Sequence, residues 1–177
     1  YEVRAFRRVL EAGHYRVEAV PRLAFDQRQE RALAALHAVW LAARPGAYDN
    51  LVFCRALAVG LADAMTAYLC WQGSRLLAAQ FHVLWEGSLY YMFSETVSDP
   101  PQGLTPGLLW HGVAAAKRAP YGPSGPPDMI DMLEAFDPRY PDFRTYGRGF
   151  TASKQRWHPT SVWLPPAVAF AGTETPP

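Results

Sequence analysis

Residues 64–96, AMTAYLCWQGSRLLAAQFHVLWEGSLYYMFSET, decide the predicted fold. The stretch contains three apolar runs of strand length, 64–71, 75–85 and 88–96. Short segments containing Gly73 and Gly87 separate these runs, and glycine adopts the positive φ angles that tight hairpin turns require. The stretch therefore predicts an antiparallel meander of three strands.

Hydrophobic spacing predicts the elements on both sides of this meander. Before it we expect a helix, a strand and two further helices, at 1–12, 15–23, 26–43 and 48–61. The inward positions predicted for the latter two helices are Leu33, Leu36, Val39 and Trp40, and Leu51, Phe53, Leu57 and Leu61. After the meander we expect a helix at 106–118, a strand at 128–136, a short helix at 150–157 and a strand at 160–164.

Two helix starts carry recognisable signals. Asp26 is of a residue type that caps helix N-termini, and Thr105 followed by Pro106 predicts the start of the helix after the meander. Proline suits the first helical position because its missing N–H would have no partner there in any case.

Length and composition indicate a soluble globular protein of 177 residues, half of them hydrophobic and 19% charged. We expect a single domain over 1–165 and a Pro-rich tail over 166–177. No apolar run approaches the ~20 residues of a membrane-spanning helix, and no signal peptide is recognisable, so we expect a cytoplasmic protein without a membrane segment. Cys54 and Cys70 lie in no CxxC motif and near no histidine-rich segment, which favours buried free thiols over a disulfide or a metal site.

Charge is distributed unevenly along the chain. Residues 1–44 carry eight Arg and five acidic residues, and residues 139–158 carry five Lys or Arg and one acid. Residues 45–138 hold four basic and nine acidic residues. Basic ends can hold a polyanion such as nucleic acid, although chance clustering on a solvated surface explains the pattern equally simply.

A meander that leads through a loop into a helix resembles the centre of the GNAT acyltransferase superfamily. The resemblance implies an α/β (α+β) fold with a mixed, mostly antiparallel sheet and helices on both faces. It also implies N-acyl transfer to an amine.

The segment 147–159, GRGFTASKQRWHP, resembles the closing segment of Fem-type peptidoglycan aminoacyltransferases and of arginyl-tRNA–protein transferases. Those families have a Tyr-Lys or Phe-Lys pair where this chain has Ser153-Lys154. The resemblance covers about 31–163 and implies that Lys154 neutralises charge on the donor or substrate. A solvated Lys154, or one paired with Asp142, is the alternative.

GNAT enzymes bind the acyl-CoA pyrophosphate with a Q/R-x-x-G-x-G/A loop at a helix N-terminus. The corresponding segment here is 102–107, QGLTPG, whose candidate donor-binding residues are Gln102, Gly103, Thr105 and Gly107. The spacing differs from the motif, and Pro106 removes one N–H from the phosphate cradle. The departure favours aminoacyl-tRNA over acyl-CoA as the donor, and no further cofactor is expected.

Acyl transfer to an amine needs a general base, oxyanion donors and an acid for the leaving group. Candidate bases are Asp131 and Glu134 on the predicted strand at 128–136, and His82 and Glu95 in the meander. An acid in an apolar strand has a raised pKa unless it is paired. Tyr91 is the candidate general acid, and Ser94 lies on the strand beside which GNAT donors bind. The structural alternatives are a loop-capping Asp131, a core or surface His82 and a core Tyr91.

Arginines and aromatic residues alternate near the C-terminus. Stacking on a tRNA end is one interpretation, and a lid or a packed loop are the others. The candidate donor-binding residues of this region are Arg144, Tyr146, Arg148, Arg156 and Trp157.

Three hypotheses follow. The first is aminoacyl transfer from aminoacyl-tRNA to an amine, in a peptide, a cell-wall precursor or a natural-product intermediate, as part of a biosynthetic reaction. The second is acyl-CoA-dependent N-acyl transfer, and the third is an inactive binding module of the same fold. The sequence contains no recognisable Ser-His-Asp triad, P-loop, dinucleotide fingerprint or zinc cluster.

Overall fold

The structure is a computed structural model that describes residues 2–45, 49–85, 88–117 and 129–131. These residues lie in the first of the two compact units of the chain, Tyr1–Leu133. The predicted domain over 1–165, its tail, and the elements predicted at 150–157 and 160–164 extend beyond the described residues and stay predictions.

The described residues form four α-helices, one 3-10 turn and five β-strands. Their order is α1 (Glu2–Glu11), β1 (Arg16–Pro21), α2 (Gln27–Ala42), α3 (Asn50–Leu61), the 3-10 turn (Ala62–Ala64), β2 (Met65–Gln72), β3 (Arg75–Trp85), β4 (Ser88–Thr96), α4 (Leu104–Ala116) and β5 (Met129–Asp131). The predicted meander is confirmed as β2, β3 and β4, and Gly73 in its first turn has a φ of 57°.

The five strands form one sheet in the order β1-β2-β3-β4-β5. β1, β2, β3 and β4 pair antiparallel with their neighbours, whereas β5 runs parallel to β4 with Asp131 opposite Tyr90. A parallel pair needs a crossover, and α4 lies in that connection. The predicted mixed, mostly antiparallel sheet is therefore confirmed.

Helices cover both faces of the sheet, as predicted. The α2/α3 face is the side on which Leu33 of α2 and Cys54 of α3 pack against Phe81 and Phe93. The α1/α4 face is the opposite side, where Phe6 of α1 packs against residues that include Leu104 and Leu108 of α4, and Tyr68, Cys70 and Leu77 of the sheet. Because side chains alternate along a strand, successive residues point to opposite faces of the sheet.

Aspartates cap the two helices of the α2/α3 face. Asp26 forms a capping box with Gln29 at the start of α2, which confirms the predicted cap. Asp49 caps α3 by accepting a hydrogen bond from the Val52 N–H, so this helix begins at Asn50 rather than at 48. Asp49 is thereby held in a fixed position beside α2.

Two residues predicted to face inward are exposed. Phe53 of α3 is 54% exposed and Val39 of α2 is 49% exposed. The buried positions of α3 are Leu51 and Cys54, and Phe53 is rotated by about 130° from the middle of that stripe. Val39 is rotated by about 90° from the middle of the buried stripe of α2, so a simple count of apolar residues misassigned both positions.

The start of α4 was also predicted wrongly. The helix begins at Leu104 and its N-cap is Gly103, with a left-handed φ of 79°, so neither Thr105 as cap nor Pro106 as first residue is correct. Proline is tolerated throughout the first turn, where N–H groups lack helical partners. Pro106 therefore indicates that the helix starts nearby, but it does not identify the first residue.

Cys54 and Cys70 are free and buried, as predicted. Burial raises the pKa of both thiols to about 12, so neither is a thiolate near neutral pH. In the described part of the chain, no helix has the length and apolar character required to cross a membrane.

Candidate active site

Half of the predicted site lies outside the described residues. Glu134, Arg144, Tyr146, Arg148, Lys154, Arg156 and Trp157 belong to this group. Asp131 is described by its backbone alone, as the last residue of β5. The roles assigned to these residues remain predictions.

The described residues bring together a histidine and two carboxylates on the α2/α3 face. Nδ1 of His37 lies 2.5 Å from Oε1 of Glu95, and Nε2 of His37 lies 3.1 Å from Oδ1 of Asp49. We call Asp49, His37 and Glu95 the acidic triad. The exposed side-chain fraction falls from 44% at Asp49 through 12% at His37 to 0% at Glu95. The triad therefore runs from the surface to the core.

Local sequence explains how each member is placed. Glu95 follows Phe93 by two residues on β4, so both side chains lie on the α2/α3 face. His37 follows Leu36 on the buried side of α2. Asp49 is held by its capping bond, because Oδ1 accepts the Val52 N–H at 2.9 Å while it also contacts His37.

The environment shifts the pKa values of all three members. Burial raises the pKa of Glu95, and the hydrogen bond and charge of His37 offset only part of that rise. Burial alone would lower the pKa of His37, but its contacts with Glu95 and Asp49 outweigh burial and raise it. The hydrogen bond from the Val52 N–H, together with His37, lowers the pKa of Asp49.

The two oxygens of the Glu95 carboxyl have different surroundings. Its Oε1 is engaged by His37, whereas Oε2 is buried and has no hydrogen-bond partner among the described residues. A buried carboxylate with a raised pKa and a free oxygen can accept a proton near neutral pH. The triad therefore has the parts of a general base.

The opposite face of the sheet carries a neutral polar cluster. His82 pairs with Tyr91 across β3 and β4, and the register shifts between Phe81 and His82 so that Met92 is an extra residue in β4. This bulge places Tyr91 and His82 on the α1/α4 face, where their ring centroids lie 5.8 Å apart. The predicted opposition of His82 to Phe81 and Val83 is confirmed.

His82 is 1% exposed, and neither of its ring nitrogens has a hydrogen-bond partner among the described residues. Burial lowers its pKa to about 4, so the ring is neutral at pH 7. It lines a cavity of about 100 Å³ with Thr66, Tyr68 and Leu89. His82 and Glu95 thus lie on different faces of the sheet.

Tyr91 and Ser94 interact directly. The Tyr91 hydroxyl donates a hydrogen bond of 2.7 Å to Oγ of Ser94, and burial of that hydroxyl raises the pKa of Tyr91. A tyrosine with a raised pKa keeps its proton near neutral pH, as a general acid must. The pair lies on the strand that carries Glu95, but Tyr91 belongs to the opposite, α1/α4 face.

The predicted phosphate loop has few donors to offer. The N–H of Leu104 donates to the carbonyl of Pro101, and that of Gly107 donates to Gly103. Pro106 has no N–H, so among the residues described here Thr105 alone offers a free first-turn N–H. Gln80 donates to the Thr105 carbonyl at 2.9 Å.

The side chains and glycines of this loop differ in their surroundings. Gln102 is exposed, and Gly103 is buried in its left-handed conformation. Gly107 faces Phe6 of α1 so closely that a Cβ there would lie 2.1 Å from the phenyl ring. Within the described structure, Gly107 therefore allows α4 to pack closely against Phe6 of α1.

Sequence analysis singled out Glu95 but missed His37 and Asp49. His37 is separated from Glu95 by 58 positions, and only the packing of α2 on β4 brings the two together. The available signals were a polar residue next to the buried stripe of α2 and an aspartate near the start of the predicted helix at 48–61. Neither signal specifies its partner.

The fold matches solved structures of acyltransferases. One is the C-terminal domain of a protein described as a lysylphosphatidylglycerol synthetase from Agrobacterium fabrum, at 15% identity, TM-score 0.60, over 90% of this chain and 52% of that one. A second is L-PGS from Bacillus licheniformis, at 13% identity, TM-score 0.58, over 89% of this chain and 50% of that one. This chain spans about half the length of these two structures.

A third is an aminoglycoside acetyltransferase from an uncultured soil metagenomic sample, in complex with sisomicin. Its identity is 9% and its TM-score 0.54, over 86% of this chain and 95% of that one. At these identities the likeness concerns the fold, which is that of the GNAT superfamily, as the meander predicts. No protein-family model and no curated protein matches the sequence.

Proposed function

We propose that the chain is an N-acyltransferase that moves an aminoacyl group from aminoacyl-tRNA to an amine, with Glu95 as the general base. The observation that carries the proposal is the buried carboxylate of Glu95, whose Oε2 has no partner among the described residues, on β4 of a GNAT fold. An amine acceptor arrives as an ammonium ion and must lose a proton before it can attack. A raised pKa suits Glu95 to take that proton.

The transfer moves two protons, forms one amide bond and breaks one ester bond. Glu95 takes one proton from the ammonium group, and the amine nitrogen forms a bond with the acyl carbon. The ester bond to the tRNA ribose then breaks, and the ribose oxygen takes a second proton from the same nitrogen. Tyr91, the general acid predicted from the sequence, lies beside His82 on the opposite, α1/α4 face of the sheet, so the second proton passes to the ribose oxygen without it.

The α4 N-terminus supports a donor other than acyl-CoA. Backbone N–H groups at a helix start bind pyrophosphate in the CoA-dependent members of this fold. Here Pro106 has none, and Leu104 and Gly107 donate theirs within the chain. One free N–H in the described first turn is a poor cradle for two phosphates.

Charge and structural similarity support the same choice. The basic flanks 1–44 and 139–158 suit a polyanionic donor. One of the structural neighbours has a name that denotes a lysyl group joined to phosphatidylglycerol, which is an aminoacyl transfer. The acceptor of this chain is an amine of a peptide, a cell-wall precursor or a natural-product intermediate.

Acyl-CoA-dependent N-acyl transfer is the second candidate. The observation in its favour is that this chain spans 95% of the aminoglycoside acetyltransferase but only about half of the two synthetases.

Parallel binding and transfer assays test the proposal. Bulk tRNA is titrated across a salt series beside a CoA titration, and labelled aminoacyl-tRNA and labelled acetyl-CoA are then offered with a panel of amines. We expect salt-dependent tRNA binding and transfer of the aminoacyl label. CoA binding with acetyl transfer would replace the proposal by the second candidate, and binding without any transfer would favour an inactive module.

A further inference from the structure

We propose that His37 is a positioning residue that holds the buried carboxylate of Glu95 in its ionised form by binding Oε1, with Oε2 left without a hydrogen bond. This inference rests on the proposed function, because it assigns a task to Glu95 within acyl transfer. The geometry supports it: Nδ1 of His37 lies 2.5 Å from Oε1 of Glu95 and is the described partner of that carboxylate.

A buried carboxylate needs such a partner to serve as a base. Removal from water strongly disfavours the charged form of an acid, and Glu95 is fully buried. A protonated carboxyl cannot accept a proton from an ammonium ion. An imidazolium at hydrogen-bond distance stabilises the carboxylate and fixes which of its oxygens is occupied.

Asp49 favours the protonated, charged form of His37. Nε2 of the ring lies 3.1 Å from Oδ1 of Asp49, an ion-pair distance at which the N–H is not aligned for a hydrogen bond, whereas Nδ1 is hydrogen-bonded to Glu95. A carboxylate beside each ring nitrogen favours the protonated imidazole through its charge. The partial exposure of Asp49 and its bond to the Val52 N–H keep that carboxylate charged.

The remaining charged or titratable groups around Glu95 are few in the described part of the chain. Arg44, which follows α2, lowers the pKa of Glu95 slightly through its charge. Cys54 on α3 interacts with Glu95, but its thiol pKa of about 12 keeps it neutral. His37 is therefore the neighbour whose charge dominates the ionisation of Glu95.

His37→Asn and Asp49→Asn test the inference from two sides. Asparagine at 37 removes the charge, whereas asparagine at 49 removes one charge but remains a good N-cap, so α3 is preserved. Because the loss of a neighbouring positive charge raises a carboxyl pKa, the acidic limb of kcat/KM should move to higher pH in His37→Asn. In Asp49→Asn it should move less, because the loss of the Asp49 charge lowers the Glu95 pKa directly while the weaker support of the His37 charge raises it. We expect a shift of about one pH unit or more for His37→Asn, hence about a tenfold loss on the acidic limb that is recovered at higher pH.

Carbon-13 NMR of the Glu95 carboxyl gives a readout without turnover. The titration of Glu95 should move to higher pH in His37→Asn and move less in Asp49→Asn. His14→Asn, the same substitution at an exposed histidine, is the matched control and should leave both readouts unchanged.

The two experiments separate failure of the inference from failure of the proposed function. A pH-independent loss of activity, or an unchanged Glu95 titration, would overturn the role of His37. If the wild-type protein transfers no acyl group from either donor, the proposed function fails, and the NMR titration alone decides whether His37 controls the ionisation of Glu95.

Discussion

The two faces of the sheet bury histidines in opposite ways. On the α2/α3 face His37 lies between Glu95 and Asp49, and these partners raise its pKa. On the α1/α4 face His82 is more deeply buried, has no hydrogen-bond partner among the described residues, and has its pKa lowered to about 4. Both rings pack against the same sheet, so the neighbours and not the fold determine the charge.

This difference indicates where chemistry is expected. A neutral histidine with apolar and aromatic neighbours costs little in the core and offers limited acid–base reactivity near pH 7. A charged histidine coupled to a buried carboxylate maintains a reactive group where water is scarce. The α2/α3 face is therefore the proposed catalytic side, and the α1/α4 face is expected to contribute mainly to stability.

The largest expected effect is on catalysis. Glu95→Gln keeps the shape of the side chain but removes the base, so transfer should fall by about 100-fold or more. The measurement is the rate of amide formation at saturating donor. Glu30→Gln makes the same chemical change at an exposed position and should retain the wild-type rate. Equal rates for Glu95→Gln and the wild type would exclude Glu95 as the base.

Leucine at each histidine position should separate the two faces in stability. His37→Leu leaves the buried Glu95 without its partner, and we expect a loss of about 3 kcal/mol in the free energy of unfolding. His82→Leu removes two buried nitrogens that lack hydrogen bonds, so its effect should lie within about 1 kcal/mol of zero or be stabilising. Urea unfolding at pH 7 measures both free energies. Similar losses of stability in the two variants would show that the two histidines do not differ in their contribution to the fold.

The pH dependence of stability should also have opposite signs. His82 has a folded-state pKa of about 4 against an ordinary value of 6.5, so the unfolded state binds the proton first. Its neutral burial should therefore destabilise the fold progressively as the pH falls from about 6.5 to about 4. The raised pKa of His37 makes its contribution full below 6.5, and that contribution is lost as the pH rises through the folded value.

Urea midpoints from pH 4 to pH 8 check these signs. His82→Leu should flatten the acidic side of the curve, whereas His37→Leu should keep that slope and lose stability at neutral pH, where the buried Glu95 has lost its partner. If His82→Leu loses stability at acidic pH as steeply as the wild type does, groups other than His82 cause that loss.

A smaller effect is expected where α4 covers His82. A Cβ on Gly112 would lie 2.5 Å from Cε1 and 2.9 Å from Nδ1 of His82. Overpacking of this kind costs about 1–3 kcal/mol, while alanine gains up to about 1 kcal/mol in helix propensity, so Gly112→Ala should lose about 1 kcal/mol. Gly60→Ala in α3 meets no neighbour and should be neutral or stabilising. Equal stability of the two variants would show that His82 moves aside without cost.

Much of the fold could be predicted from local sequence. The meander follows from three apolar runs and Gly73, and Asp26 marked the start of α2, because turns and caps are short-range features. The start of α4 was missed because Thr105 and Pro106 fit several positions of a first turn equally well.

The candidate site was less predictable because it depends on long-range packing. An acid in an apolar strand drew attention to Glu95, but nothing near it in sequence points to His37 or Asp49. The extra residue Met92 in β4 is likewise invisible in the sequence, although it decides which face Tyr91 joins. Register and helix packing set these relations, and both are fixed by the tertiary structure.

Nitrogen-15 NMR of the imidazole rings at pH 7 tests the central claim most directly, with His37→Asn and His82→Leu providing the assignments. We predict that His37 carries a larger share of doubly protonated ring than an ordinary histidine and loses its proton above 6.5, while His82 has one protonated and one bare nitrogen and stays neutral until the pH approaches 4. If both rings instead titrated together near 6.5, the two faces would not differ in charge, and the assignment of the α2/α3 face as the catalytic side would be contradicted.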